Sequence, residues 1–368
     1  MRIERIDVFQ LDLPYSGGVY RLAGGREFQS FDATFVRITC DDGTQGWGES
    51  TPFGSTYVAA HARGVRAGIE EMAPSLIGLD PRRVDRVYDA MDTALVGHGH
   101  AKCAIDVACW DAFGHSVEMP VCDLLGGSTG GALALISSIH TGDPEDMRAR
   151  VASFRDLGYL GHSIKVGDDP SDDADRVAAC LADRRPGEYF LVDANGSMSV
   201  EHALRFLRQL PRDADIVLEA PCATVRETLS LRARSDVPIV WDELATDDAS
   251  VAQMIATDGA DGVGLNVSKS GGLTPARRQR DMAVAAGYTM SVQDTVGSDI
   301  AFAAVLHLGH TVPGRLLRCV LDVRAMVTLT TVTDPIPVVG GRVAATDAPG
   351  LGVDVDLAVL GDPIATYS

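Results

Sequence analysis

Three acidic residues, Asp193, Glu219 and Asp242, each follow a short apolar segment that is typical of a buried β-strand. Neighbouring strands of a sheet lie about 4.8 Å apart, so carboxylates at three consecutive strand ends would converge at one point. Carboxylates this close repel one another unless a cation lies between them. Oxygen ligands without Cys or His favour a hard divalent ion, Mg²⁺ before Mn²⁺. Solvated loop acids would give the same pattern singly, but three on consecutive strand ends predict a metal site.

A lysine, Lys165, ends the apolar segment that precedes the Asp193 strand. Burial and a nearby positive charge both lower a lysine pKa towards the range of a general base. Lys165 would therefore suit the removal of a proton from a substrate held at the acidic cluster. The alternative is a lysine on the protein surface, and only its position at a strand end argues against this.

Polar residues recur at intervals of 23 to 28 residues in this part of the chain, each after a strand-like segment. They are Lys165, Asp193, Glu219, Asp242, Asn266, Asp294 and Asp322. The predicted strands include Ile239–Trp241 and Leu317–Leu321, and the helices between strands include Asp172–Leu181. This alternation predicts parallel βαβ units, with reactive residues at the mouth of a (β/α)8 barrel. An open doubly wound sheet would instead gather its site near one Gly-rich turn, and no G-x-G-x-x-G follows a strand.

The chain divides into three predicted parts. Residues 1–130 are expected to form an α+β capping domain. Residues 131–330 are expected to form an α/β TIM-type barrel of the modified (β/α)7β kind, which contains the active site. Residues 331–368 return to short strands and Gly-rich turns, and we expect them to fold back onto the cap. Gly-rich loops at 15–28 and 51–57 carry aromatic residues, and loops of this composition can close over a barrel mouth.

Composition excludes several classes of function. The 368 residues include 32 Lys+Arg and 51 Asp+Glu, and the net charge of −19 repels nucleic acid and anionic membrane surfaces. The hydrophobic share of 46% is enough for a buried core, whereas no apolar run reaches the ~18 residues of a membrane span. The charged first residues are unlike a signal peptide, and the seven cysteines include no C-x-x-C pair. We therefore expect a cytoplasmic protein that acts on a small molecule.

These motifs resemble the enolase superfamily, in its muconate lactonizing enzyme subgroup (the mandelate racemase/muconate lactonizing enzyme family). In the barrel, the segments that carry the resemblance are Ile164–Gly167, Asp193–Gly196, Glu219–Pro221, Asp242–Glu243 and Ser268–Leu273. In the cap, they are Gly46–Glu49, Ala104–Asp106, Trp110–Asp111 and Leu124–Gly127. The resemblance implies that the three acids bind Mg²⁺, that the metal holds a substrate carboxylate, and that Lys165 removes the proton alpha to it. It also implies a symmetric homo-oligomer.

Two positions depart from the family pattern. The family usually has Lys-x-Lys at the second barrel strand, but the first position here is Ser163, which removes a cation that would lower the pKa of Lys165. A second acid/base lysine usually ends the sixth strand, but that position is Asn266 and only Lys269 of the Lys-x-x-Lys pattern remains. Asparagine does not exchange a proton at neutral pH. Inward-facing positions alternate along a strand, so we expect Lys269 to leave the strand and point elsewhere, which predicts one-base chemistry.

β-Elimination is compatible with a single base, which takes the alpha proton while hydroxide leaves. The segments that resemble the cis-3-hydroxy-L-proline dehydratases of this subgroup are Gly161–Lys165, Ser291–Ala301 and Leu321–Arg324. This resemblance implies a Mg²⁺-dependent lyase that eliminates water from a cyclic hydroxy-amino acid. It places Ser163 at the substrate, with Asp294 and Asp322 facing the substrate ammonium. Either acid could instead form a structural ion pair with Arg318 or Arg324.

The stereochemistry of this elimination leaves one role unfilled. A hydroxyl cis to the carboxylate lies on the ring face opposite the alpha proton, so Lys165 cannot serve both groups directly. Water or Lys269, on the Asn266 side, would have to help the leaving group. Two alternatives stay open: an epimerase of an amino acid or proline derivative that uses Lys165 with Lys269, and a catalytically inactive barrel that binds a small molecule.

Overall fold

The computed structural model describes residues 1–368. The first part of the chain forms a four-stranded antiparallel sheet, in which the last strand of the chain takes part, with helices packed against it. Its strands and those of a short hairpin are β1 (Ile3–Pro14), β2 (Tyr20–Leu22), β3 (Arg26–Phe28), β4 (Ser30–Cys40) and β5 (Gln45–Ser50). Its helices are α1 (Ala62–Leu76), α2 (Val84–Ala94), α3 (Gly99–Val117) and α4 (Val121–Leu124). The predicted α+β cap is confirmed.

Eight parallel strands follow and close into a barrel. They are β6 (Leu133–Ile139), β7 (Gly161–Lys165), β8 (Tyr189–Asp193), β9 (Val217–Glu219), β10 (Ile239–Trp241), β11 (Gly262–Asn266), β12 (Thr289–Gln293) and β13 (Leu317–Leu321). The helices between them are α5 (Pro144–Asp156), α6 (Pro170–Leu181), α7 (Val200–Gln209), α8 (Val225–Arg232), α9 (Asp248–Thr257), α10 (Val267–Ser270), α11 (Leu273–Ala286) and α12 (Asp299–Gly309). β13 pairs with β6 and leads into a 3₁₀ turn rather than an α-helix. The predicted (β/α)7β barrel is therefore confirmed.

The end of the chain contacts both sheets. β14 (Arg342–Val343) pairs antiparallel with β6 of the barrel. After the short helix α13 (Leu357–Leu360), β15 (Ala365–Tyr367) pairs antiparallel with β1 of the cap. These pairings do not fix domain limits, so the boundaries at residues 130 and 330 stay predictions. No helix in the chain combines the length and the apolar character needed to cross a membrane.

The register of the barrel strands brings their polar ends level with one another. Lys165 is the cross-strand partner of Asp193, and Asp193 is the partner of Glu219. On the other side of the barrel, Asn266 is the partner of Gln293. β7 and β11 are four strands apart in a ring of eight, so Lys165 and Asn266 stand on opposite walls of the mouth.

Buried carboxylates of the cap bind the N-termini of two barrel helices. Glu49 of β5 accepts hydrogen bonds from the N–H groups of Ser298 (2.9 Å) and Ala301 (3.1 Å) at the start of α12. Asp106 of α3 accepts the N–H of Thr274 (2.9 Å) at the start of α11. A helix N-terminus presents unpaired N–H groups and partial positive charge, and a carboxylate satisfies both. These contacts hold the cap over the barrel mouth.

Candidate active site

The barrel mouth holds a narrow cavity of about 20 Å³, and its walls come from both parts of the chain. The predicted site residues that line it are Ser163, Lys165, Asp193, Glu219, Asp242, Asn266 and Asp294. The cap residues that line it are Tyr20, Leu22, Phe53 and Tyr57. These four lie in the two loops expected to close over the mouth. Lys269 and Asp322 do not line this cavity.

The three acids expected to bind a metal are almost completely buried, with 1–2% of each residue exposed. Burial raises the pKa of Glu219 well above its usual value, and the charges of Asp193 and Asp242 raise it further. Burial also raises the pKa of Asp242 to about 6, although Lys269 acts in the opposite direction. Close carboxylates without water disfavour their own ionisation, and a cation would relieve this cost.

Lysine ammonium groups neutralise two of the three acids. Lys165 Nζ contacts Asp193 Oδ2. Lys269 Nζ lies 2.5 Å from Asp242 Oδ2. In the protein alone, no three His, Cys, Asp or Glu side chains are arranged closely enough to hold a metal ion. A metal ion bound to Asp193 and Asp242 would compete with the two lysines for these oxygens.

Asp193, Glu219 and Asp242 nevertheless suit a hard divalent cation. Their oxygen atoms are the preferred ligands, and there is space beside two of the three side chains. All three candidate ligands offer carboxylate oxygens, which Mg²⁺ prefers. Asp242 Oδ1 is buried without a hydrogen-bond partner. A Cβ at Gly264 of β11 would lie 3.2 Å from Asp242 Oδ1 and 3.3 Å from Glu219 Oε1. The absence of a side chain at Gly264 thus leaves room beside two of the three acids.

Lys165 lies where a base is needed, but its electrostatics differ from the expectation. Burial acts to lower the pKa of Lys165, yet the charges of Asp193 and Glu219 outweigh burial and the pKa is raised. The prediction that the pKa of Lys165 is lowered is therefore wrong for the protein without a bound metal or substrate. The physical reason is that two carboxylates face the ammonium, while the neighbouring Ser163 brings no opposing positive charge.

Asn266 occupies the wall opposite Lys165, and its side chain caps a helix. Asn266 Oδ1 accepts the N–H of Lys269 at 3.0 Å, at the start of α10. Because this bond uses the oxygen, the amide NH₂ is the polar group left to face the cavity. Asn266 can therefore donate a hydrogen bond to a bound molecule, but it cannot carry a proton to or from it.

Lys269 leaves the strand as expected, but its side chain turns back towards the acids. It lies in α10 with 8% of the residue exposed, and its amine reaches Asp242 from outside the cavity. With His100 and Glu243, it lines a second cavity of about 740 Å³ between cap and barrel. Lys269 thus leaves the strand and stays out of the barrel-mouth cavity, as expected, but its contact with Asp242 was not expected.

The two acids expected at a substrate ammonium are placed differently. Asp294 lines the cavity, and its Oδ2 accepts the Ser268 hydroxyl at 2.9 Å. Asp322 accepts the Tyr159 hydroxyl at 2.6 Å and the Ala325 N–H at 3.0 Å. Both oxygens of Asp322 are thus used away from the cavity. Asp322 therefore does not line the cavity, and its expected place at a substrate ammonium stays a prediction.

Neither acid forms the ion pair considered as its alternative. Arg324 pairs with Asp299 at 3.3 Å. Arg318 donates to Thr289 Oγ1 at 2.5 Å. Asp294 therefore has no cationic partner, and burial raises its pKa to about 7.

Sequence reasoning missed the residue that connects a cap loop to the acids. Asn195, with a left-handed backbone (φ 46°), donates from Nδ2 to Asp193 Oδ2 and to Glu243 Oε1, each at 3.0 Å. The same nitrogen lies 3.2 Å from Tyr57 Oη. The signal in the sequence was the Asn-Gly pair after β8, which indicates a turn but not these contacts.

Two family models match most of the chain. Residues 146–359 match the enolase C-terminal domain-like family. Residues 24–126 match the N-terminal domain of the mandelate racemase/muconate lactonizing enzyme family. The first match covers the barrel from α5 onwards, and the second covers most of the cap.

Similar proteins of the same length are also known. The chain is 37% identical to the cis-3-hydroxy-L-proline dehydratase of Roseibium aggregatum, over 100% of both chains. The chain is also similar to a protein from Roseovarius nubinhibens ISM whose crystal structure was determined in complex with magnesium. The two structures superpose with a TM-score of 0.97, and the sequences are 52% identical over 100% of both chains. A crystal structure from Aspergillus oryzae has a TM-score of 0.95 and 60% identity, and covers 100% of this chain and 99% of that one. The present chain belongs to the mandelate racemase/muconate lactonizing enzyme family of the enolase superfamily, a superfamily of enzymes.

Proposed function

We propose that this chain is a Mg²⁺-dependent lyase that removes the proton alpha to a carboxylate and eliminates water from cis-3-hydroxy-L-proline. The observation that carries this proposal is the asymmetry of the cavity, with Lys165 on one wall and Asn266 on the opposite wall. Elimination is compatible with one base, whereas racemisation by transfer between two faces needs an acid/base group on each. The full-length similarity to a cis-3-hydroxy-L-proline dehydratase supports the same choice.

Asp193, Glu219 and Asp242 would hold the Mg²⁺, with Mn²⁺ as the alternative ion. A relative that is 52% identical was crystallised with magnesium, which supports this cofactor. When bound, Mg²⁺ supplies positive charge beside the substrate carboxylate, where negative charge develops as the alpha proton leaves. The protein contributes a site from which water is almost excluded, so that charges act on one another with little screening.

Lys165 would take the alpha proton. Its amine must be neutral to accept a proton, and the contact with Asp193 keeps it charged. That contact must therefore be given up before abstraction. Ser163, two residues earlier on the same strand, lines the cavity beside it and can hydrogen-bond to the substrate.

The cap would close the cavity over the substrate. The rings of Tyr20 and Phe53 lie 5.0 Å apart, and the Tyr20 hydroxyl is 2.7 Å from Ser138 Oγ of β6. Tyr20 and Phe53 are both buried, so together they shield this side of the mouth from solvent. Exclusion of water strengthens the electrostatic interactions within the site and protects reactive intermediates.

A turnover screen tests the proposal. The protein with Mg²⁺ is incubated in deuterium oxide with stereoisomers of proline, hydroxyproline and N-methylproline, and proton NMR follows the ring signals. We expect elimination from cis-3-hydroxy-L-proline, and exchange of the alpha proton of L-proline without inversion. Inversion at the alpha carbon would indicate an epimerase. No reaction with any compound would favour a barrel that only binds small molecules.

The family resemblance also supports a homo-oligomer that acts in the cytoplasm on a small carboxylate. Light scattering during size-exclusion chromatography measures the mass of the assembly directly. A mass equal to that of a single chain would contradict the oligomer.

A further inference from the structure

Loss of water from the proposed substrate needs an acid as well as a base, and this inference rests on the proposed function. In cis-3-hydroxy-L-proline, the hydroxyl and the alpha proton lie on opposite faces of the ring. Hydroxide is a poor leaving group, so a proton has to reach the oxygen as the C–O bond breaks. The donor must therefore stand on the wall opposite Lys165.

That wall, formed by β11 and β12, offers few groups able to give a proton. Its cavity-lining residues are Asn266, Gln293, Asp294 and Thr295. Asn266 and Gln293 carry amides, and Thr295 carries an aliphatic hydroxyl. Neither an amide nor an aliphatic hydroxyl ionises near neutral pH. The phenols of the cavity stand elsewhere, since Tyr20 bonds to Ser138 of β6 and Tyr57 to Asn195 after β8. Asp294 is the remaining acid on this wall.

The surroundings of Asp294 favour its neutral form. It is 3% exposed, its Oδ1 accepts the Thr295 N–H at 2.6 Å, and its Oδ2 lies 2.9 Å from Ser268 Oγ. The titratable groups packed behind it are Glu49 of β5 and Cys103 of α3, neither of which brings positive charge. Burial outweighs the hydrogen bonds from Thr295 and Ser268, which lower the pKa of Asp294, and with a smaller effect of Glu49 it raises that pKa to about 7. A proton is therefore available at this carboxyl near neutral pH.

We infer that Asp294 is the general acid that protonates the departing hydroxyl. Lys165 takes the alpha proton, the C–H electron pair ends as the double bond between the alpha and beta carbons, and the C–O bond breaks with its pair on oxygen. Asp294 gives its proton to that oxygen, so that water leaves and a carboxylate remains. Proton exchange with solvent returns the Lys165 ammonium and the Asp294 carboxylate to their starting states.

The nature of the leaving group tests this role. Wild type, Asp294→Asn and Asp294→Ser, each with Mg²⁺, are compared on cis-3-hydroxy-L-proline, on its cis-3-chloro analogue, and on L-proline in deuterium oxide. Chloride leaves without a proton, and exchange at the alpha carbon of L-proline reports abstraction by Lys165 alone. We expect both variants to lose at least about 100-fold in water elimination, and to stay within about threefold of wild type on the other two compounds.

Equal losses on all three compounds would overturn the inference and would indicate that Asp294 binds the substrate ammonium as a carboxylate or supports the fold. Unchanged water elimination in both variants would overturn it as well. The serine variant serves where the asparagine variant does not fold, and alpha-proton exchange reports an intact base and cavity in each. A wild type that exchanges L-proline but leaves cis-3-hydroxy-L-proline intact would refute the proposed function itself, a result distinct from a failure of Asp294 alone.

Discussion

Lys165 and the candidate metal depend on the same carboxylate. The ammonium contacts Asp193 Oδ2, and Asp193 is also one of the three acids expected to bind Mg²⁺. Lys165→Met removes both the base and the competing positive charge. We expect elimination and alpha-proton exchange to fall by at least about 100-fold, whereas Mg²⁺ affinity measured by calorimetry should stay the same or rise.

The control is Lys165→Arg, which keeps the positive charge but is not a base at neutral pH. It should be as inactive as the methionine variant, and it should bind Mg²⁺ no more tightly than wild type. Weaker Mg²⁺ binding in the methionine variant than in the arginine variant would contradict the competition.

Because Gly264 has no side chain, space remains beside Asp242 and Glu219. A Cβ there would lie 2.8 Å from Gln293 Nε2, and within 3.2–3.3 Å of carboxylate oxygens of Asp242 and Glu219. Gly264→Ala should therefore weaken Mg²⁺ binding by about 10–100-fold, the size of effect seen when groups around a metal site are changed. Calorimetric titration with Mg²⁺ measures the change.

The matched control for this substitution is Gly314→Ala. A Cβ at Gly314 meets no atom within 4 Å, so this variant should bind Mg²⁺ like wild type. Equal Mg²⁺ affinity in the two alanine variants would show that the space at Gly264 is not needed for the metal.

Side chains at strand ends were easier to predict than side chains in the turns that follow. Lys165 and Asn266 line the cavity because each is the last residue of a barrel strand, and the regular spacing of those strands is visible in the sequence. Lys269 lies in α10, three residues beyond its strand, where the turn decides the direction of a side chain. Asp322 directly follows its strand, as Asp242 and Asp294 do, and only its own hydrogen bonds set it apart from them. No sequence pattern indicates that the Lys269 side chain contacts Asp242. None indicates that Asp322 accepts hydrogen bonds from Tyr159 and Ala325 either.

Among whole elements, regular apolar spacing predicted strands and helices well. Ile239–Trp241 and Leu317–Leu321 are strands with the predicted bounds. The helix predicted at Asp172–Leu181 starts two residues earlier, because Asp169 caps it and Pro170 occupies its first turn. The short elements α10, β14 and β15 were not predicted individually, since elements of two to four residues depend on their tertiary partners rather than on a pattern of their own.

The junction of cap and barrel at α12 depends on one buried carboxylate. Glu49 is 1% exposed and accepts the N–H groups of Ser298 and Ala301, and Glu49→Ala would leave these donors buried without a partner. We expect a loss of about 1–3 kcal/mol in the free energy of unfolding, measured by chemical denaturation. Glu27→Ala is the control, because Glu27 forms only an exposed pair with Arg21, and such pairs contribute about 0–1 kcal/mol. Equal losses would mean that the helix contact adds no stability.

At the scale of the whole molecule, the fold has to bring like charges together before a cation binds. The three acids end or follow three different barrel strands, so they come together only when the barrel closes. The net charge of −19 adds a general repulsion to this local one. Lys165 and Lys269 offset part of the local repulsion in the protein alone. A ligand that binds only the closed barrel must then stabilise it.

Mg²⁺ should therefore raise the temperature of thermal unfolding, and chelation should reverse the effect. At a Mg²⁺ concentration of about 100 times its dissociation constant, the gain is about 2.7 kcal/mol, enough for a shift of at least about 3 °C in a chain of this size. Because the chain is so acidic, any salt can also stabilise it by screening. The measurement is therefore paired with NaCl at equal ionic strength and with Asp242→Asn. Specific binding predicts a shift that NaCl does not reproduce and that Asp242→Asn loses; the same shift in all three would assign the whole effect to screening.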